Sequence, residues 1–219
     1  MKKIKIVAID DHQFTLDAFR ANTFHHPDIE IVGEGLCGDE LMPLLEKHNP
    51  DILLLDQRMP QTEGISYNER PFRPLPSIEK IRRLFPDTRI IIISAWHRGF
   101  MVRETLEAGC SGYFSKSDAH ITDLGEVIHA VMHSELFLSK SAAEAYMKDN
   151  GPNFGFTKRM TETIQLVADN TTATNAQLAE MMGVTESTFN KHLMQVMKRV
   201  GTPKNRLAAV TICKMMGII

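Results

Sequence analysis

Asp51-Ile-Leu-Leu-Leu-Asp56 is an apolar run closed by an acid, and three other short runs in the first half of the chain also end on polar groups. Ile4-Lys-Ile-Val-Ala-Ile9 runs into Asp10-Asp11. Ile90-Ile-Ile-Ile-Ser94 ends on a hydroxyl, and Gly112-Tyr-Phe-Ser-Lys116 ends on an ammonium. Buried parallel strands read as continuous apolar stretches, and ligands of open α/β sheets sit outside the carboxyl ends of the strands. Three carboxylates, one hydroxyl and one lysine are therefore expected at one spot. Crowded acids repel unless a divalent cation neutralises them, and oxygen ligation with open positions suits Mg2+. A lysine opposite that cation points to a phosphoryl group as the missing component, with Asp56 as its acceptor.

Helical stripes separate these runs. Phe14, Leu16, Ala18 and Phe19 follow the first, and a short strand Ile29–Gly33 precedes the stripe Leu41, Leu44 and Leu45. Ser77 reads as the cap of a helix with inner face Ile78, Ile81 and Leu84. Val102, Leu106 and Ala108 mark the next helix, and Ile121, Leu124, Val127, Ile128 and Val131 the last. Right-handed crossovers then predict an α/β fold, a flavodoxin-like, doubly wound, five-stranded parallel sheet. Tyr67-Asn-Glu-Arg-Pro-Phe-Arg-Pro-Leu-Pro76 interrupts the rhythm with three prolines, which predicts an extended loop bordering the Asp56 end. Loops of this length are either functional or disordered, and both readings stand.

Composition sets the outer limits. The 219 residues are 43% apolar and 24% charged, ordinary for a globular protein. No apolar stretch approaches the roughly 20 residues of a membrane helix. No secretory segment is evident either, so a cytoplasmic protein without membrane partners is expected. Cys37, Cys110 and Cys213 are widely spaced and odd in number, which predicts reduced thiols. Charge divides the chain: residues 151–219 carry +4, leaving −6 for residues 1–150. The expected organisation is an α/β unit at 1–134, a linker with a short helix (Lys140 to Lys148) at 135–155, and an all-α unit at 156–219. The breakers Asp149-Asn-Gly-Pro-Asn153 mark the linker.

Within the basic unit, Leu178-Ala-Glu-Met-Met-Gly183-Val-Thr185 has helix-turn-helix spacing, with a second helix capped at Thr185. Phe189, Leu193, Val196 and Val200 share one face of that helix and are expected to be buried. Ser187, Asn190, Lys191, Met194 and Lys198 form the opposite face, which suits a major-groove reader or a merely solvated surface.

Taken together, these motifs resemble a two-component response regulator with a NarL/LuxR (FixJ)-type output domain, over nearly the whole chain. The resemblance is carried by Asp10-Asp11, Asp56-Gln-Arg-Met-Pro60 with Gly64, Ser94-Ala95 and Lys116. It implies that residues 1–134 are the receiver and 156–219 the DNA-binding domain. It implies Mg2+ held by Asp10, Asp11, Asp56 and the backbone carbonyl of Arg58. Ser94 and Lys116 would bind phosphoryl oxygens, and Tyr113 stands at the aromatic switch position. The implied partners are a sensor histidine kinase, double-stranded DNA and a second copy of the chain; no enzymatic turnover of a substrate is implied. In the output half, Asn190, Lys191 and Met194 would reach bases, with Thr188, His192 and Lys198 nearer phosphates. For His192, helix packing is an equal alternative. Three departures stand out: Met160 replaces an acid in Phe156-Thr-Lys-Arg159-Met160, the loop Asp169-Asn-Thr-Thr-Ala-Thr174 is long, and Asn190 replaces a common lysine. Asparagine predicts an adenine preference. Arg58 and Trp96 flank the expected path of attacking water and are read as shields of the acyl phosphate, although Trp96 could instead pack on a helix or a partner. Two other classes are weighed: a phosphotransfer or protein-interaction module that does not bind DNA, and a magnesium-dependent phosphohydrolase, for which Gln57 and Arg58 supply no acid/base.

Overall fold

The four runs that end on polar groups all become neighbouring strands of one parallel sheet. In the computed structural model, which describes residues 3–118, 123–133, 136–150, 156–202, 205–215 and 218–219, the strands are β1 Ile4–Ile9, β2 Ile29–Gly35, β3 Ile52–Asp56, β4 Arg89–Ser94, β5 Gly112–Ser115 and β6 Phe137–Leu138. Their order is β2-β1-β3-β4-β5-β6. The order doubles back beside β1, the arrangement that leaves a crevice at the carboxyl ends of β1 and β3. Both faces are covered. Val7, Leu53, Leu55, Ile90, Ile92 and Tyr113 belong to the apolar cluster on one side, while Ile6, Ala8, Leu54, Ile91, Ile93 and Phe114 belong to the other. This strict alternation of two buried faces is why the strands read as unbroken apolar runs.

The covering helices are α1 Gln13–Thr23, α2 Gly38–His48, α3 Pro74–Leu84, α4 Gly99–Glu107 and α5 Leu124–His133. Ile121 of the predicted last stripe lies outside the described residues. Two expectations need correction. The sheet has six strands rather than five, because Phe137 and Leu138 pair with Gly112 and Tyr113 at the sheet edge. A two-residue strand carries no periodicity to read. The helix expected to begin after a Ser77 cap begins at Pro74, since proline is tolerated in a first turn, where its missing N–H costs nothing. The Ser77 hydroxyl instead donates back to the Arg73 carbonyl at 3.0 Å.

The proline-rich stretch before α3 is ordered. Pro60 and Pro71 form an antiparallel bridge, flanked by bonds from Gln61 N–H to Arg70 O at 2.8 Å and from Phe72 N–H to Met59 O at 3.0 Å. Asp39, in the first turn of α2, accepts from Gln61 Nε2 and Thr62 Oγ1, each at 2.7 Å. Those bonds hold its carboxyl below the usual range. Gly38 lets the loop lie close, because a Cβ there would stand 2.5 Å from the Phe72 ring.

Of the segment expected to join the two units, residues 136–150 carry β6 and α6 Lys140–Asn150, and residues 151–155 are outside the described set. Helix α6 packs on α4 so closely that a Cβ added at Gly99 would stand 2.3 Å from the Ala145 carbonyl. The second unit comprises α7 Lys158–Asp169, α8 Asn175–Met181, α9 Glu186–Arg199 and α10 Arg206–Met215. Thr174 closes a capping box with Gln177, and Thr185 caps α9. Gly183 takes φ +68 in the turn between α8 and α9, a conformation glycine adopts without strain. All three cysteines are buried and free. Among the described residues, no helix is long and apolar enough to cross a membrane.

Candidate functional site

The strand ends deliver their polar residues to one rim. Lys116, immediately after β5, places Nζ 2.6 Å from Asp10 Oδ2 and 3.2 Å from Asp56 Oδ2. The other oxygen of Asp56 accepts from the backbone N–H groups of Gln57 at 2.7 Å and Arg58 at 3.3 Å. Asp10 and Asp56 are buried, whereas Asp11 is partly exposed. Burial pushes the Asp56 carboxyl above its ordinary value, aided by the Asp10 charge and opposed by Lys116. Burial works against the Lys116 charge, but the two carboxylates outweigh it and hold the ammonium above the usual lysine range. Ser94 is fully buried beside the Tyr113 phenol and accepts from Trp96 N–H at 3.1 Å. Tyr113 is also fully buried; its hydroxyl meets Gln57 Oε1 at 2.8 Å and the Trp96 carbonyl, and burial pushes its pKa up.

The three carboxylates of this donor set suit a hard divalent cation. Ligand atoms of Asp10, Asp11, His12 and Asp56 all lie within 4.8 Å of one another. Asp11 Oδ1 is shielded from solvent without a hydrogen bond; His12 Nδ1, 2.7 Å away, makes an ion-pair contact that lacks hydrogen-bond alignment. A desolvated carboxylate oxygen without a hydrogen bond, crowded by other carboxylates, is costly unless a cation takes it up. His12 was missed in the sequence, though its place directly after the acid pair was a usable signal.

Arg58 and Trp96 come together with a third residue that sequence reasoning did not single out. The Arg58 guanidinium lies 4.7 Å from the Tyr67 ring centroid and 5.0 Å from that of Trp96. Tyr67 belongs to the proline-rich loop, so that loop borders the acidic rim. Trp96 remains 46% exposed.

In the second unit, Phe189, Leu193, Val196 and Val200 are buried, as their spacing predicts. Ser187, Lys191, Met194 and Lys198 are exposed, and Thr188, Asn190 and His192 are half-buried. His192 Nδ1 is shielded and lacks a hydrogen bond. Asn190 is held by a relay: Arg206 Nη1 donates to Asn175 Oδ1 at 2.8 Å, and Asn175 Nδ2 donates to Asn190 Oδ1 at 2.8 Å. A guanidinium has no acceptor, so the polarity of both amides is fixed. The Asn190 oxygen is engaged inward and its NH2 is the group left to project. This works against the adenine expectation, which needs oxygen and nitrogen presented together.

A sheet of this order, with acids and a lysine gathered at the carboxyl ends of β1, β3 and β5, is the receiver class of signalling domain. Comparison with known proteins agrees. The response regulator receiver domain matches residues 6–129. The chain belongs to the response regulator receiver family, as a NarL/LuxR-type member with a helical output unit. It is 26% identical to the transcriptional regulatory protein DegU of Brevibacillus brevis, covering 97% of this chain and 94% of that protein. It is also 26% identical to the nitrate/nitrite response regulator protein NarL of Escherichia coli strain K12, covering 94% of each. The solved structure of the RcsB response regulator from Salmonella typhimurium superposes with a TM-score of 0.60 at 20% identity, covering 98% of this chain and 99% of that one. At that identity the likeness carries the fold.

Proposed function

We propose that the chain is a phosphorylation-controlled, DNA-binding transcription regulator of the cytoplasm. The observation that carries this reading is Lys116 Nζ bridging Asp10 and Asp56 at the sheet rim. In the proposed step, an Asp56 carboxylate oxygen attacks the phosphorus of a phosphohistidine on a sensor kinase. The P–N bond breaks, its electron pair returns to the imidazole, and an acyl phosphate forms. Such a transfer needs positioning and charge neutralisation more than covalent help. Mg2+ held by Asp10, Asp11, Asp56 and the Arg58 carbonyl would supply part of that neutralisation. Lys116 already stands between two acids and follows the new charge with a small swing. Ser94 would donate a hydrogen bond from its hydroxyl to a phosphoryl oxygen and keep its proton, and Tyr113 is already turned inward beside it. The role of the chain is that of a phosphoryl acceptor rather than a catalyst of turnover.

In the output unit, Asn190, Lys191 and Met194 reach base edges, while Ser187, Thr188, His192 and Lys198 contact the backbone. Two copies bind two half-sites, as helix-turn-helix proteins do. The response regulator RcsB has a solved structure in complex with DNA. The receiver is taken as residues 1–134 and the output unit as 156–219, joined by 135–155; the pairing of β6 with β5 and the packing of α6 on α4 support grouping residues 136–150 with the receiver. A mobility-shift assay with acetyl phosphate and Mg2+, run beside Asp56→Asn, tests the reading. Tighter, salt-dependent binding on phosphorylation of the unaltered chain alone is expected. Absence of salt-dependent DNA binding would leave a protein-interaction role for the basic unit.

A further inference from the structure

A second group of ligating side chains lies at the opposite rim of the sheet from Asp56. His26 and Asp28 occupy the turn between α1 and β2, and His129 lies on α5. One ligand atom from each falls within 4.8 Å of the others. His129 Nε2 meets Asp28 Oδ2 at 2.9 Å, and His26 Nε2 meets Asp123 Oδ1 at 2.9 Å. The two imidazoles stand edge to face with centroids 5.4 Å apart. Gly125, in the first turn of α5, makes room for this: a Cβ there would stand 2.2 Å from the His26 ring.

We propose that His26, Asp28 and His129 form a zinc-class cation site that clips the α1–β2 turn to α5. Two imidazoles and one carboxylate are ligands of borderline cations such as Zn2+, whereas Mg2+ and Ca2+ select oxygens. Two independent histidine–aspartate pairs would not require both rings and the Asp28 carboxylate to converge. Nor would they require a glycine that lets one ring lie against the helix. Asp123 serves as an outer partner: bonded to one nitrogen of His26, it orients the ring while the other nitrogen ligates, the role carboxylates take behind metal-bound histidines. The three ligands are half-buried, so a cation can enter from solvent, and the open coordination position falls to water.

The test is zinc binding to the full chain by equilibrium dialysis, with Mg2+ present to occupy the acidic rim at Asp56. A single saturable equivalent is expected, retained in Asp56→Asn and weakened about tenfold or more in His26→Gln and in His129→Gln. Asp123→Asn is expected to weaken binding less than either ligand change. Cobalt added to the unaltered protein gives a readout independent of any variant: visible absorption of a low-coordinate nitrogen/oxygen site, abolished by zinc. No saturable binding, binding unchanged in both histidine variants, or binding lost in Asp56→Asn would each overturn the proposal.

Discussion

Asp56 sits between opposing demands: burial and the Asp10 charge favour its protonated form, while Lys116 and two backbone N–H groups favour the carboxylate. The balance raises its folded pKa above 3.8, so the native state binds the proton more readily than the unfolded chain does. Stability associated with this group is therefore present at low pH and is lost as pH rises from about 3.8 through the raised native value. Asp56→Asn removes the loss. At neutral pH without Mg2+, the variant is expected to melt higher than the unaltered chain, by roughly 2–4 °C for each kcal/mol relieved in a chain of this size. The difference should grow with pH across that window and level off above it. A melting point that falls on substitution at neutral pH would show that Lys116 wins the balance. A second outcome concerns the acyl phosphate. Arg58, flanked by Tyr67 and Trp96, forms a small stacked screen beside the rim. Trp96→Ala and Tyr67→Ala each remove one face of that stack, and each is expected to shorten the phosphate lifetime several-fold, as each stack contributes about 0.5–1 kcal/mol at an exposed site. Phosphate release timed after removal of the donor measures it, and an unchanged lifetime in both variants discards the screen.

Why some elements were readable and others were not follows from how each is stabilised. β1, β3, β4 and β5 are buried on both faces, so their apolar runs and the polar residues that close them announced both the sheet and the rim. β6 has two residues and borrows its definition from β5, and the start of α3 is set by a proline whose tolerance in a first turn competes with its usual reading as a breaker. The face of α9 was legible from periodicity, but the Arg206–Asn175–Asn190 relay was not, because its members sit on three helices and share no spacing. That relay sets a testable preference. Under the proposed DNA-binding role, the projecting Asn190 NH2 is expected to meet an acceptor, such as guanine O6 or thymine O4. Asn175→Asp leaves no donor to face Asn190, so the Asn190 amide turns, gives its NH2 inward and presents oxygen outward. Binding-site selection should then move from acceptor-bearing edges to adenine N6 or cytosine N4 at that position. The change should be about fivefold per site, the worth of one hydrogen bond of about 1 kcal/mol. An identical consensus for both proteins would show that the relay does not govern reading.

Between the two units, the connection runs through α6. Ser139 Oγ accepts from Ser115 N–H at 3.0 Å, and Asp118, buried just past Lys116, takes the N–H and hydroxyl of Ser141 at 2.9 and 2.7 Å. The start of α6 is thus bonded to the residues around Lys116. Farther along the helix, the buried Tyr146 donates its hydroxyl to the Val200 carbonyl at the end of α9, beside Gly201. A rim event that shifts β5 therefore has a bonded route to the end of α9. Ser187, Lys191, Met194 and Lys198 nevertheless remain exposed, so this tie positions the helix without covering its outer face. The consequence separates two modes of control. If α6 masked the face, cutting the tie would raise DNA affinity. Because it does not, Tyr146→Phe is expected to leave the affinity of the unphosphorylated chain for a single half-site duplex unchanged, while removing one buried hydrogen bond and about 1 kcal/mol of stability. The same variant should weaken the gain that phosphorylation brings on a duplex carrying two half-sites, because a loosened output unit no longer registers the state of the receiver. Fluorescence anisotropy on the two duplexes distinguishes these outcomes. A half-site affinity that rises tenfold in Tyr146→Phe would instead establish that α6 holds the output unit in an occluded position.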